Sequence, residues 1–181
     1  MGERERLAIF NMTCEYLPGA VVLDAYAGTG ALGLEALSRG AKYVVFIEKS
    51  HKVVKTLREN IEKLGVKNNT EVVQGDVNSA DRVLPRIIPQ NFTSKHFGGP
   101  SIRVTQSEYP FFDIIFADPP YDNFNLSDIA HLTEFLKSGG VFVLSHPDDA
   151  LDDEPNLPML SLLKTRKYAR ANISIFQKAS D

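Results

Sequence analysis

Short apolar runs rich in β-branched and aromatic residues alternate along the chain with segments of helical periodicity, and this alternation restricts the fold more than any other feature. "GAVVLDAYAG" reads as a buried strand ending near Asp24 and closed by a glycine loop. "ALGLEALSRG" follows as a helix stopped by Gly40, then "KYVVFIE" as a second strand, and a helix from about Ser50 to Leu64 with Gly65 behind it. "TEVVQGD" is a third strand ending at Asp76, and "FFDIIFAD" a fourth. "LSDIAHLTEFLKSGG" predicts one more amphipathic helix with a glycine stop, and "GVFVLSH" a fifth strand. Strands joined by helical crossovers run parallel, with helices on both faces. The closing segments "KTRKYARA" and "NISIFQK" are close enough to pair as an antiparallel hairpin. The fold class is therefore α/β, Rossmann-like, with a mostly parallel seven-stranded sheet that ends in an antiparallel hairpin. From Leu84 to Pro110 the chain carries Pro85, Pro89, Pro100 and Pro110 with Gly98 and Gly99, and predicts a long irregular insertion.

With 181 residues, 43% hydrophobic and 24% charged, the chain fits a single domain, residues 1–181, around one continuous core. It has no apolar run of the roughly 18 to 20 residues that cross a bilayer and no opening signal segment, so a soluble cytoplasmic protein is expected. Cys14, the single cysteine, excludes a disulfide framework and is expected to pack as a small apolar side chain. His51, His96, His131 and His146 lack ligand-like spacing, so no metal is expected. The net charge of -3 gives no global signal for nucleic acid, but basic residues gather at Arg82, Arg86, Lys95 and Arg103 and again at Lys164, Arg166, Lys167 and Arg170. Between these patches lies the acidic run Asp148, Asp149, Asp152, Asp153 and Glu154.

In parallel α/β sheets ligands gather beyond the carboxyl ends of the strands, and the first four strands each deliver a carboxylate there: Asp24, Glu48, Asp76 and Asp118. The loop after the first strand, "GTGALG", places Gly28, Gly30 and Gly33 at dinucleotide-fingerprint spacing. Charge separates the possible occupants. A pyrophosphate is repelled by a row of carboxylates, by on the order of 1 kcal/mol per close exposed pair, whereas S-adenosylmethionine presents a sulfonium and an ammonium. On that reading Gly28 and Gly30 let the backbone approach the ligand, Glu48 accepts from the ribose hydroxyls, Asp76 accepts from the adenine amine, and Asp24 meets the ammonium directly or through water. The neighbouring Ala25, Lys49 and Val77 complete the expected cofactor site.

In "DPPY" a strand runs into Asp118, Pro119, Pro120 and Tyr121. The prolines stiffen the turn, so the Asp118 side chain and the Pro119 carbonyl can converge on the two hydrogens of an exocyclic amine while Tyr121 offers a stacking face and Phe124 a second wall.

"VLDAYAGTGALGLEALSRGA", "FIEKS", "NIEKLG" and "DIIFADPPY" together resemble the bacterial small-subunit (16S) ribosomal RNA guanine-N2 methyltransferases of the RsmD family. "RERLAIFNM" resembles that family's leading helix and "KTRKYARANISIFQ" its closing hairpin. The resemblance implies a class I methyltransferase that binds S-adenosylmethionine through Asp24, Gly28, Gly30, Glu48 and Asp76. It implies that Asp118 to Tyr121 hold the amine, and that ribosomal RNA or a partly assembled small subunit is the partner. The family carries a basic segment before the first helix, whereas only 23 residues precede Asp24 here, so the chain reads as a member with a shortened N-terminus: either basic residues of the insertion replace those RNA contacts or the sequence is itself cut short. The Asp-Pro-Pro-Tyr motif also occurs in adenine-N6 and other amino methyltransferases. DNA adenine, another RNA base or a protein amide thus stand as alternative substrates, and an inactive binding partner of the same fold as an alternative role.

Overall fold

The computed structural model describes residues 2–91, 111–148, 150–151, 157, 159–168 and 171–180. Its sheet has seven strands: β1 (Val21–Asp24), β2 (Tyr43–Glu48), β3 (Thr70–Gln74), β4 (Phe112–Ala117), β5 (Leu136–His146), β6 (Leu160–Lys167) and β7 (Asn172–Lys178). The spatial order is β3-β2-β1-β4-β5-β7-β6. The first five strands are parallel, β7 runs antiparallel to β5, and β6 runs antiparallel to β7, as the sequence predicts.

The helices are α1 (Glu3–Thr13), α2 (Ala31–Ser38), α3 (His51–Lys63), α4 (Ala80–Asn91) and the single turn α5 (Ser127–Ala130). Two apolar layers hold them to the sheet. On one face Ile9 and Phe10 of α1, Leu32 and Ala36 of α2, and Leu57 and Ile61 of α3 pack on Val22, Val44, Phe46, Ile114 and Phe116. On the other, Ala80 and Leu84 of α4 and Ile129 of α5 pack on Leu23, Val45, Ile115 and Phe142. The central strands β1 and β4 present apolar residues to both layers, which is why they read as continuous hydrophobic runs.

The structure corrects four expectations. Residues 84–91 are helical, because α4 continues to Asn91 through Pro85 and Pro89. Leu84, fully buried, ties this helix to the sheet, and that packing outweighs the proline penalty. The remainder of the predicted insertion, with Lys95, His96 and Arg103, lies outside the described residues, as do Asp149, Asp152, Asp153, Glu154 and Arg170. The expected helix over "LSDIAHLTEFLKSGG" shrinks to α5 and a 3-10 turn over His131–Phe135, because the chain must already be in β5 at Leu136 to pair with Phe112. The buried Lys178 ammonium closes that turn by donating to the carbonyls of Thr133 (3.0 Å) and Leu136 (2.8 Å). β6 starts at Leu160, ahead of "KTRKYARA". Cys14 is exposed, not packed, since it follows the last turn of α1 as the chain leaves for β1. Among the described residues no helix is long and apolar enough to cross a membrane.

Candidate functional site

The sheet order reverses at β1, whose neighbours β2 and β4 lead the chain in opposite directions, and a crevice opens at the carboxyl ends of these strands. Backbone bonds seal its floor: Ala25 N–H donates to the Phe116 carbonyl at 2.9 Å and Ala27 N–H to the Ile47 carbonyl at 3.0 Å. The crevice is a pocket of about 340 Å³. Of the residues singled out in the sequence, Ala25, Glu48, Lys49, Asp76 and Val77 line it on the side of β1 to β3. Asp118, Pro119 and Pro120 line it on the side of β4.

Asp24, Gly28, Gly30 and Tyr121 stand outside this lining. Gly28 N–H donates to Glu48 Oε2 at 2.9 Å, and Ser50 N–H to Glu48 Oε1 at 2.7 Å, so the loop and the start of α3 fix the Glu48 carboxylate from both sides. Gly30 has a φ of 91°, a left-handed value that favours glycine, and there the chain turns into α2. Tyr121 opens a short 3-10 turn, and its hydroxyl shares a hydrogen bond with Ser145 Oγ at the end of β5.

Asp24 is only 2% exposed, and its Oδ2 accepts from Gly33 N–H at 2.9 Å. Burial pushes its carboxyl up to about 7; the Gly33 N–H opposes the shift, and the charges of Asp118 and Glu48 add to it. The folded state therefore keeps a proton that the unfolded chain, with an ordinary carboxyl near 3.8, has already released. Stability from this group is complete below about pH 4 and is lost as the pH rises through about 7. Asp24→Asn, which keeps an oxygen for Gly33 N–H and removes the titration, is expected to flatten the fall in melting temperature between pH 5 and pH 8. Thermal melts across that range check this, and an unchanged slope refutes it.

Asp76 heads the turn Val77–Ser79, its Oδ1 accepting from Asn78 N–H at 3.1 Å. Lys49 Nζ lies 2.7 Å from Asp76 Oδ2. The Lys49 ammonium, and then the Asn78 N–H, hold the Asp76 carboxyl below its usual range. The pocket wall also contains Tyr26, Asn78, Asn125 and Asp128, which sequence reasoning missed. Burial, then the charges of Asp128 and Asp76, push the Tyr26 phenol up to about 12, so it stays a neutral donor. Asn125 Oδ1 accepts from Ser127 N–H (3.1 Å) and Ser127 Oγ (2.8 Å), and Asn125 Nδ2 donates to Asp128 Oδ1 (3.3 Å). This Asx turn starting α5 was legible as "NLSD", but only the fold carries it to the pocket.

Among the described residues the wall thus holds four carboxylates, Glu48, Asp76, Asp118 and Asp128, against one ammonium, Lys49, which is already paired. The sheet order, the glycine turn under β1 and a row of carboxylates at consecutive strand ends define a class I methyltransferase fold. Residues 1–91 match the family described as Conserved hypothetical protein 95. YlbH of Bacillus subtilis, provisionally named an rRNA methyltransferase, is 30% identical over 97% of this chain and 85% of its own length. The Ribosomal RNA small subunit methyltransferase D of Haemophilus influenzae is 34% identical over 71% of this chain and 55% of its own length. The solved structure of Escherichia coli yhhF, provisionally named a methyltransferase, superposes with a TM-score of 0.76 at 24% identity, covering 99% of this chain and 86% of that one. The chain belongs to the RsmD family.

Proposed function

We propose that the protein is an S-adenosylmethionine-dependent methyltransferase that modifies the exocyclic N2 amine of a guanine in small-subunit ribosomal RNA. The observation that carries this reading is the single pocket in which the strand-end carboxylates Glu48 and Asp76 meet the Asp118-Pro119-Pro120 turn, in a chain of the RsmD family. Four carboxylates to one paired ammonium suit a cation and oppose a pyrophosphate, so the residues present fit S-adenosylmethionine. That cofactor would supply a methyl group made electrophilic by its sulfonium.

Glu48, held from two sides by Gly28 and Ser50, is the acceptor for the ribose hydroxyls. Asp76 accepts the adenine amine with the lone pairs that Lys49 and Asn78 leave over, a carboxylate having about four acceptor positions. Ala25, Lys49 and Val77 form the adjoining wall, and Gly28, where a Cβ would meet nothing within 4 Å, leaves room for close backbone approach, whereas the Cβ position of Gly30 faces Leu34 and Leu57. Asp24, buried with its Oδ2 on Gly33 N–H, carries a carboxyl raised to about 7, and its charged form would favour the ammonium. Asp118 and the Pro119 carbonyl would accept hydrogen bonds from the two N–H groups of the attacking amine, orienting its lone pair and making its nitrogen more electron-rich. Ser145 anchors the Tyr121 ring as a stacking face, with Phe124, 6.4 Å from the His146 ring, as the opposing wall. The target base leaves its stack to enter, at a cost of a few kcal/mol that is smaller in a loop. Ribosomal RNA, free or in a partly assembled subunit, is the partner in this reading, and the cytoplasm the compartment.

Calorimetry is expected to show S-adenosylmethionine binding at one site and no binding of NAD; the reverse pattern overturns the cofactor. Mass mapping of ribosomal RNA from cells with and without the gene is expected to differ at one guanine N2. An unchanged map transfers the reaction to DNA or protein.

A further inference from the structure

Away from the pocket, α1 and the edge strand β6 leave a larger groove of about 620 Å³. Among the described residues β6 pairs with β7 alone, and its register sets Lys164 opposite Ile175 and Arg166 opposite Ile173. Residues directly opposite each other share a face, and both isoleucines belong to the layer beneath α1, so Lys164 and Arg166 project on the α1 side. Arg4, from the first turn of α1, joins them in the lining, which among the described residues holds these three cations against the single carboxylate of Glu15. Tyr16 and Tyr168 supply flat rings, and Leu7 (45% exposed) and Leu163 (49% exposed) supply apolar surface.

The groove leads toward the amine turn. Lys167, at the end of β6, is in register with Asn172, which pairs with His146 at the carboxyl end of β5. Arg166 is in register with Ile173, which pairs with Ser145, the hydrogen-bond partner of the Tyr121 hydroxyl. The cationic end of the groove therefore lies two strands across the sheet from the residue that holds Tyr121, and its other end runs along α1 to Tyr16.

The geometry points to a binding track for the single-stranded RNA that flanks the target base, its phosphates on Arg4, Lys164 and Arg166 and its bases against the tyrosines and leucines. This deepens the RNA methyltransferase reading and rests on it. Cations spaced along a groove with interleaved aromatic rings match a nucleic-acid strand, whose charge repeats and whose bases stack without regard to sequence. A second copy of the chain fits poorly. Pairing β6 with its own twin would bring two sets of Lys164, Arg166 and Lys167 onto one ladder, where like charges repel.

The test is fluorescence anisotropy of a labelled oligouridylate of about 20 nucleotides, at several salt concentrations, with the wild type and the Lys164→Ala/Arg166→Ala double variant. The variant is expected to bind about tenfold more weakly at low salt, with a log–log salt slope shallower by about 1.4, the loss of two single-strand phosphate contacts. Its S-adenosylmethionine affinity and melting temperature are expected to match the wild type. Equal affinity and slope for the two proteins overturn the track and leave the methyltransferase reading intact, as does a wild type that binds S-adenosylmethionine but no oligonucleotide. A wild type that binds no S-adenosylmethionine overturns the parent reading and the track with it. Sedimentation that finds a dimer abolished by the double variant assigns the face to a second copy and overturns the track.

Discussion

Asp118→Ala is expected to cut methyl transfer by on the order of 10³-fold while leaving S-adenosylmethionine affinity within about threefold of wild type. β4 holds Asp118 in place: Ile114, Ile115 and Phe116 are fully buried between the two apolar layers, and the strand pairs with β1 on one side and β5 on the other. Pro119 and Pro120 then fix the backbone, so the carboxylate has little freedom to wander. Truncation removes the acceptor proposed for the amine and touches none of the groups proposed for the ribose or the adenine. The expected loss therefore falls on turnover. Asp118→Asn, which keeps one acceptor oxygen, is expected to retain part of the rate. Single-turnover assays alongside cofactor calorimetry distinguish these outcomes, and a fully active alanine variant removes Asp118 from the chemistry.

Gly33→Ala is expected to destabilise the fold by about 1–3 kcal/mol, and Gly33→Val by more. A methyl group built on Gly33 would lie 2.7 Å from Phe46 Cζ and 2.8 Å from Val44 Cγ1. Both partners are fully buried residues of β2 and have no open space to move into. α2 must therefore lift from the sheet, which also draws Gly33 N–H away from Asp24 Oδ2 and leaves a buried carboxylate without that donor. For a chain of this size the alanine variant should lose about 2–12 °C of melting temperature. Gly75→Ala is the control, since a methyl group there meets nothing within 4 Å. Calorimetric melts that place both variants at the wild-type temperature would show that the α2 contact is looser than the packing indicates.

Much of this architecture was legible because local and long-range signals agree. Val21 to Leu23 and Phe112 to Phe116 read as buried strands from their apolar character, and Gly30, Gly40 and Gly65 bracket α2 and α3 as sequence punctuation. The sequence failed where tertiary contacts decide. The segment after Ser127 has a helical pattern, but pairing of Leu136 with Phe112 and the reach of the distant Lys178 convert most of it into a turn and a strand. Pro85 and Pro89 signalled irregular chain, and only the buried contact of Leu84 shows why the helix persists. In the pocket, the strand-end acids stood out because each follows an apolar run. Tyr26, Asn125 and Asp128 did not, since their relevance depends on which loops meet above the sheet.

β7 lies between β5 and β6, and so among the described strands the outermost one is hydrogen-bonded into the sheet through its hairpin partner alone. Lys178 fastens β7 to the start of β5 without involving β6. Fraying of β6 would thus spend itself at the rim, leaving β4 and the turn it carries undisturbed. A protein arranged this way can let one wall breathe around a bulky guest while the reacting groups stay in alignment.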